Sequence, residues 1–199
     1  DLPSGTEVAE WALGDRHRTW ERRPVNHGAL RVRIGIERVP PHDPVVVPRG
    51  GRDDLRTRLE ETATELAELE RPVAVDLSVS GLAVVGAGVE SCALARSVIA
   101  QLVGLLGPDD LGIEIDAPDE RSAAWDWLRW LPHQVAFVHS ASASASASER
   151  SPGWGRVVVR LVDGHRPRPV DGGPLCVVIV NDEADVPPGC GTVVGLDDR

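Results

Sequence analysis

One segment limits the fold more than any other. Gly81-Leu82-Ala83-Val84-Val85 is a short apolar run that ends on Gly86 and Gly88. It leads into Glu90 to Leu106, where Leu94, Val98, Ile99, Leu102, Leu105 and Leu106 recur at helical spacing before Gly107-Pro108 stops the run. The unit reads as strand, glycine turn and helix. A strand apolar on both faces needs parallel neighbours and helices to cover it, which points to an α/β domain.

Other segments extend the pattern. Val73 to Leu77, Leu111 to Ile115, Gln134 to Val138, Val157 to Val162, Leu175 to Val180 and Thr192 to Leu196 read as strands. Leu30 to Ile36 alternates apolar and polar residues, as a half-exposed antiparallel strand does. Val45-Val46-Val47 between prolines reads as an edge strand. Asp53 to Glu70 reads as a helix, with Leu55, Leu59, Thr62, Leu66 and Leu69 on one face, glutamates opposite, and Pro72 ending it. Ser122 to Trp130 reads as a short helix with Trp125 and Leu128 facing the core, and Trp127 and Trp130 as further core candidates. The predicted organisation is an N-terminal linker or extension over 1–28 and one α/β domain over 29–199. A flexible Ser/Ala loop is expected at 140–150.

Composition removes several classes. With 31 acidic against 21 basic residues the net charge is −10, which speaks against a duplex-binding face. Every basic residue is an arginine, so no lysine can act as a phosphate clamp, Schiff base or general base. Cys92, Cys176 and Cys190 lack zinc-ligand spacing, and Cys176 reads as a small buried hydrophobe in a reducing compartment. No apolar stretch reaches the roughly 18 residues of a membrane span, so the segment is expected to be soluble. The first residue is Asp1, not Met, which suggests an excised segment with a targeting or membrane part outside it.

Two constellations are candidates for phosphate chemistry. Gly86-Ala87-Gly88-Val89-Glu90-Ser91-Cys92-Ala93 overlies the phosphate-loop pattern GxxxxGK[ST] with Gly86 as its first glycine. Ser91 then replaces the second glycine, Cys92 the lysine and Ala93 the hydroxyl residue; Arg96 is a candidate substitute for the missing cation. The plain alternative is an ordinary strand-to-helix turn. Leu175 to Val180 followed by Asn181-Asp182-Glu183 resembles a strand whose terminal acid holds Mg²⁺, with the acid one residue late. Its plain alternative is a solvated strand-end turn. No residue is a catalytic or metal-ligand candidate: Asp116, Asp119, Glu120 and Asp126 are scattered, Asp119 or Ser122 reads as a helix cap, and His133 and His139 read as structural or solvated.

Taken together, several stretches resemble a known family. They are Trp20-Glu21-Arg22-Arg23-Pro24, Leu30 to Gly35, Pro72 to Leu77, the degenerate glycine loop, Leu94 to Leu102, and Trp125-Asp126-Trp127-Leu128-Arg129-Trp130-Leu131-Pro132-His133. They are similar to the membrane-proximal cytosolic domain of the FtsK/SpoIIIE-type ATPase EccC of type VII (ESX) secretion systems, over roughly residues 17–199. The resemblance implies a RecA-like P-loop fold with a mainly parallel sheet plus an N-terminal antiparallel β element. It implies an actinobacterial protein-export ATPase as the parent, at the cytoplasmic face of the plasma membrane. The implied partners are the other domains of that ATPase, type VII membrane-complex subunits, and further copies in a homo-hexamer, with no nucleic acid.

Carried over, Gly86, Gly88, Ser91 and Cys92 fall on the phosphate loop, and Asn181 and Asp182 on the strand-end acid. The only cofactor implied is ATP with Mg²⁺. The missing lysine and hydroxyl favour a domain that is non-catalytic or weakly nucleotide-binding and couples motor domains to the membrane complex. The alternatives are an active P-loop ATPase domain and, against the charge balance, a DNA-translocase fragment.

Overall fold

A computed structural model of the chain describes residues 2–14, 18–43, 46–50, 52–86, 88–138, 157–164 and 175–196. Helix α1 (Gly5–Leu13) comes first, then strand β1 (Arg31–Val39), helix α2 (Asp53–Glu65) and strands β2 (Leu69–Asp76) and β3 (Gly81–Val85). Helix α3 (Val89–Leu105), strand β4 (Leu111–Asp116) and the single-turn helix α4 (Asp119–Ser122) follow. A 3₁₀ segment (Ala123–Trp130) leads to β5 (Gln134–Val138), β6 (Val157–Asp163), β7 (Leu175–Val180) and β8 (Cys190–Gly195).

Six strands form one sheet in the order β5-β4-β6-β7-β3-β8, and every adjacent pair in it is parallel. β1 and β2 form a separate two-stranded antiparallel sheet. This is the α/β class with a mainly parallel sheet and a small antiparallel β element expected from the sequence. The physical cause is visible in β7, where Val177, Val178, Ile179 and Val180 are all buried. A strand covered on both faces cannot alternate, and a continuous apolar run is its signature.

By its contacts the chain divides into two compact units, Asp1–Arg33 with Ala74–Arg199, and Ile34–Val73. In the larger unit, α3 carries a buried face of Ala95, Val98, Ile99, Leu102 and Leu105. Helix α1 lies in the stretch expected as linker or extension, and it packs on α3. A Cβ on Gly104 would overlap Val8, so close approach of the two helices requires glycine there. The start of α1 is a complete capping box: the Ser4 hydroxyl accepts from Glu7 N, and Glu7 Oε2 accepts from Ser4 N at 2.7 Å.

The smaller unit corrects the helix expected over 53–70. α2 ends at Glu65, no residue of it is buried, and Leu69 and Glu70 open β2 instead. Cross-strand ion pairs Arg38–Glu70 and Arg71–Glu37 flank that pairing. Pro72 does not stop a helix but lies within β2, where a two-stranded sheet leaves an edge that needs no N–H. Val46 and Val47 belong to no strand, and Val45 lies outside the described residues.

The tryptophan segment is 3₁₀ after its first turn rather than α-helical. Trp125 and Leu128 are buried as expected, but Trp130 is 88% exposed. Ser122 is the N-cap residue of the 3₁₀ segment but makes no side-chain cap, its hydroxyl donating to Asp119 O instead, and Asp119 lies inside α4, whose N-cap residue is Pro118. The Ser/Ala tract, His139 and the side chain of Cys176 lie outside the described residues.

Candidate functional site

The carboxyl ends of β3, β7 and β6 lie side by side, because Val84 pairs with Ile179 and Ile179 pairs with Asp163. In open parallel sheets, this edge is where ligands bind. The glycine loop leaves β3 here. Gly86 has φ +144°, a conformation that side chains disfavour, and its N–H donates to Val180 O at 2.9 Å. A Cβ on Gly86 would lie 2.7 Å from Ser91 Oγ. The serine standing where a phosphate loop has its second glycine is thus folded beneath the first one. Ser91 is 1% exposed, and its hydroxyl has no hydrogen-bond partner among the described residues.

Gly88 is the N-cap residue of α3 and supplies no side-chain cap. Glu90 lies exposed in the first turn, where its charge complements the helix dipole. Ala87 lies outside the described residues. Cys92, at the lysine position of the motif, is half-buried. Burial pushes its thiol pKa up, the charge of Asp163 adds to that shift, and Arg121 and Arg96 oppose it. The group at that position is therefore a neutral thiol near neutral pH, not a cation. Arg96 points elsewhere: its Nε donates to Ala124 O at 3.3 Å, and its guanidinium lies 5.7 Å from the centre of the Trp125 ring.

The structure separates the two acids that could end a strand in this site. Asn181 and Asp182 are exposed, and Asp182 accepts from Ala184 N at 2.9 Å as the cap of a short 3₁₀ turn. Asp163, at the end of β6, is fully buried. Its Oδ1 accepts from Arg121 at 2.5 Å and its Oδ2 from Trp125 Nε1 at 2.9 Å. Gly164, at φ +82°, turns the chain directly afterwards, where a Cβ would crowd Arg121. The strand expected over Val157 to Val162 runs one residue further, to Asp163. The signal was present, an apolar run closing on Asp-Gly, but Arg160 interrupts it. In the structure Arg160 is held by Glu114 of β4 at 2.9 Å.

Cys92, Asp163, Arg121, Arg96 and Trp125 therefore form one cluster at the sheet edge, with Gly86 and Ser91 beside it. Mg²⁺-ATP asks such a site for a loop cation, a hydroxyl ligand and an available carboxylate. The cluster offers a thiol, Ala93 and a carboxylate already bound by an arginine, so these residues do not fit that group. Among the described residues no group of three His, Cys, Asp or Glu side chains could hold a metal ion. None of the described helices is long and apolar enough to cross a membrane.

A second convergence joins the motifs that carried the resemblance. Trp20 Nε1 donates to Val103 O, Arg22 N donates to Leu105 O, and the His133 ring bonds Leu106 O at 2.9 Å. The rings of Trp20 and His133 meet edge to face at 6.3 Å. Arg23 reaches Asp110 at 2.6 Å. The Trp-Glu-Arg-Arg and Leu-Pro-His stretches, far apart in the chain, thus clasp the end of α3. His133 is structural, as expected.

No family model matches the chain. It is 35% identical over 130 residues to the ESX-4 secretion system protein EccC4 of Mycobacterium tuberculosis, a match covering 62% of this chain and 10% of that protein. It is 32% identical over 138 residues to EccC3 of the ESX-3 system of the same species, covering 66% and 10%. To the ESX secretion system protein EccC of Thermomonospora curvata it is 29% identical over 137 residues, covering 63% and 10%. Among solved structures, the cytoplasmic domain of the Thermomonospora curvata type VII secretion ATPase EccC matches 64% of this chain and 21% of its own, at 16% identity and a TM-score of 0.47. The chain thus spans about a tenth of the length of these curated relatives. Its homologues are the EccC proteins of ESX secretion systems.

Proposed function

We propose that this chain is a domain of an EccC-type secretion ATPase that keeps a nucleotide-type α/β fold without turning over ATP. In this reading it couples the motor domains to the membrane complex, and the protein works at the cytoplasmic face of the membrane. Its partners are those other domains and subunits, not nucleic acid; the net charge of −10 supports the latter. The observation that carries the proposal is the engagement of Asp163. Both of its oxygens are held by Arg121 and Trp125, and the loop beside it has no lysine.

Titration calorimetry with Mg²⁺-ATP, a melting scan and a phosphate-release assay test this together. A ligand at about 100 times its Kd stabilises a fold by roughly 2.7 kcal/mol, which a melting scan resolves. The expected result is no phosphate release and no melting shift at millimolar nucleotide. Turnover by the isolated chain, abolished by Asp163→Asn, overturns the proposal.

A second reading, nucleotide binding without hydrolysis, is favoured by the unpartnered Ser91 hydroxyl at the start of the long helix α3. It predicts a heat of binding lost in Ser91→Ala and no phosphate release.

A further inference from the structure

Helix α2, in the smaller unit, differs from the helices of the larger one. Helix α3 buries an apolar face and α1 buries Val8, whereas α2 buries no residue. Leu55, Leu59 and Leu66 stay 52, 42 and 40% exposed. A helix of 13 residues is marginal in water by itself and draws its stability from a packed apolar face.

The spacing of that face is specific. Leu55, Leu59, Thr62 and Leu66 follow one another at intervals of four, three and four residues. That is the narrow seam of a coiled coil, not the broad stripe of a helix lying on a core. Thr62 suits the seam because its hydroxyl donates to Arg58 O at 2.9 Å within its own helix, so no polar group is left unsatisfied.

The charges beside the seam select what covers it. Arg56 and Ala63 flank one side, Arg58 and Glu65 the other. Arg56 is held within its own helix by Asp53 and Glu60, while Arg58 and Glu65 enter no ion pair among the described residues. Those two are seven residues apart, too far to meet along one helix. In an antiparallel pair of α2 helices, Leu55 lies opposite Leu66 and Leu59 opposite Thr62. That register sets Arg58 of each copy against Glu65 of the other, twice by symmetry. A parallel pair sets Arg58 against Ala63 and gains no ion pair.

We infer that α2 is a self-recognition surface, on which a second copy of this chain docks antiparallel about a two-fold axis. A head-to-tail ring contact uses two different patches, so this contact is separate from any ring. The four seam residues a side are few beside the roughly 20–30 of a standard interface, so the dimer is weak and concentration-dependent.

Sedimentation equilibrium of the chain from micromolar to millimolar concentration tests it. The parent should show a reversible monomer–dimer equilibrium. Arg58→Glu puts two like-charge contacts in place of two ion pairs, as Glu65→Arg does, and each alone should weaken the dimer about tenfold. Both positions are exposed, so the melting temperatures should match the parent. Mixing the two single variants restores opposite charges at both contacts, and the mixture should dimerise as the parent does. So should the double variant Arg58→Glu/Glu65→Arg. A chain that stays monomeric at millimolar concentration leaves the face to a different partner and overturns the inference. A dimer indifferent to Arg58→Glu, or no recovery in the mixture, also overturns it, because the copies then meet at another surface or in another orientation.

Discussion

Arg121→Ala tests the buried cluster at its partly exposed arginine. Asp163 is fully buried, while the Arg121 side chain keeps 27% of its surface in water. Removing the arginine leaves a carboxylate with one neutral donor, Trp125 Nε1, in place of two partners. Breaking a buried ion pair from one side costs about 3–5 kcal/mol, and access of water through the vacated Arg121 channel places this case near the lower end, about 3 kcal/mol. For a chain of this length, that corresponds to a melting temperature lower by roughly 6–12 °C.

The informative companion is Arg121→Met with Asp163→Leu. Replacing both charges by apolar groups of similar size removes desolvation and attraction together but leaves buried Trp125 Nε1 without its acceptor, at about 1–3 kcal/mol, so part of the lost stability should return. Urea unfolding of the parent, the single variant and the double variant, followed by circular dichroism, reads the difference. If Arg121→Ala stays within about 0.5 kcal/mol of the parent, as an ordinary surface substitution does, the pair is not what holds the tryptophan segment to the sheet. A double variant no more stable than the single one refutes the reasoning from the other side.

Alkylation of Cys92 should be slow beside a free thiol at pH 8, because burial and Asp163 raise its pKa. The pH midpoint of its alkylation should therefore lie above that of a free thiol, and a midpoint below it contradicts the assignment. Gly86→Ala should destabilise by about 1–3 kcal/mol through its φ of +144° and its clash with Ser91, and adding Ser91→Gly should recover the steric part only, as denaturant midpoints would show. The Glu7 carboxyl is held below its ordinary range, first by the Ser4 backbone N–H and then by the Ser4 hydroxyl. Its contribution is therefore full above the unfolded-state pKa of a glutamate and lost as pH falls through the lower folded-state value. The stability gap between the parent and Glu7→Gln should close on acidification, and a gap that widens below pH 4 is incompatible with the capping box.

Much of the parallel sheet was legible because burial on both faces writes itself into the chain as an unbroken apolar run. Leu175–Val180 needed no partner to be recognised, and Val157–Val162 is broken only at Arg160. Trp125 and Leu128 were legible for the same reason, at helical spacing. The start of α1 is written in Ser4 and Glu7, which spell a capping box, but the flanking polarity masks the few apolar residues that meet α3.

The end of α2 is a different case. Leu66 and Leu69 continue the helical period, yet Leu69 joins β2, because pairing with β1 outweighs a weakly buried helix turn. The sequence by itself determined the class of fold, the absence of lysine chemistry and the glycine turn into α3. Which acid meets that turn was decided only by tertiary structure. Asp182 follows the more continuous apolar strand and caps its own turn in water. Asp163 follows an interrupted strand and lies buried between Arg121 and Trp125. Strand order and register choose between them, and those depend on pairings between distant segments that no local pattern encodes.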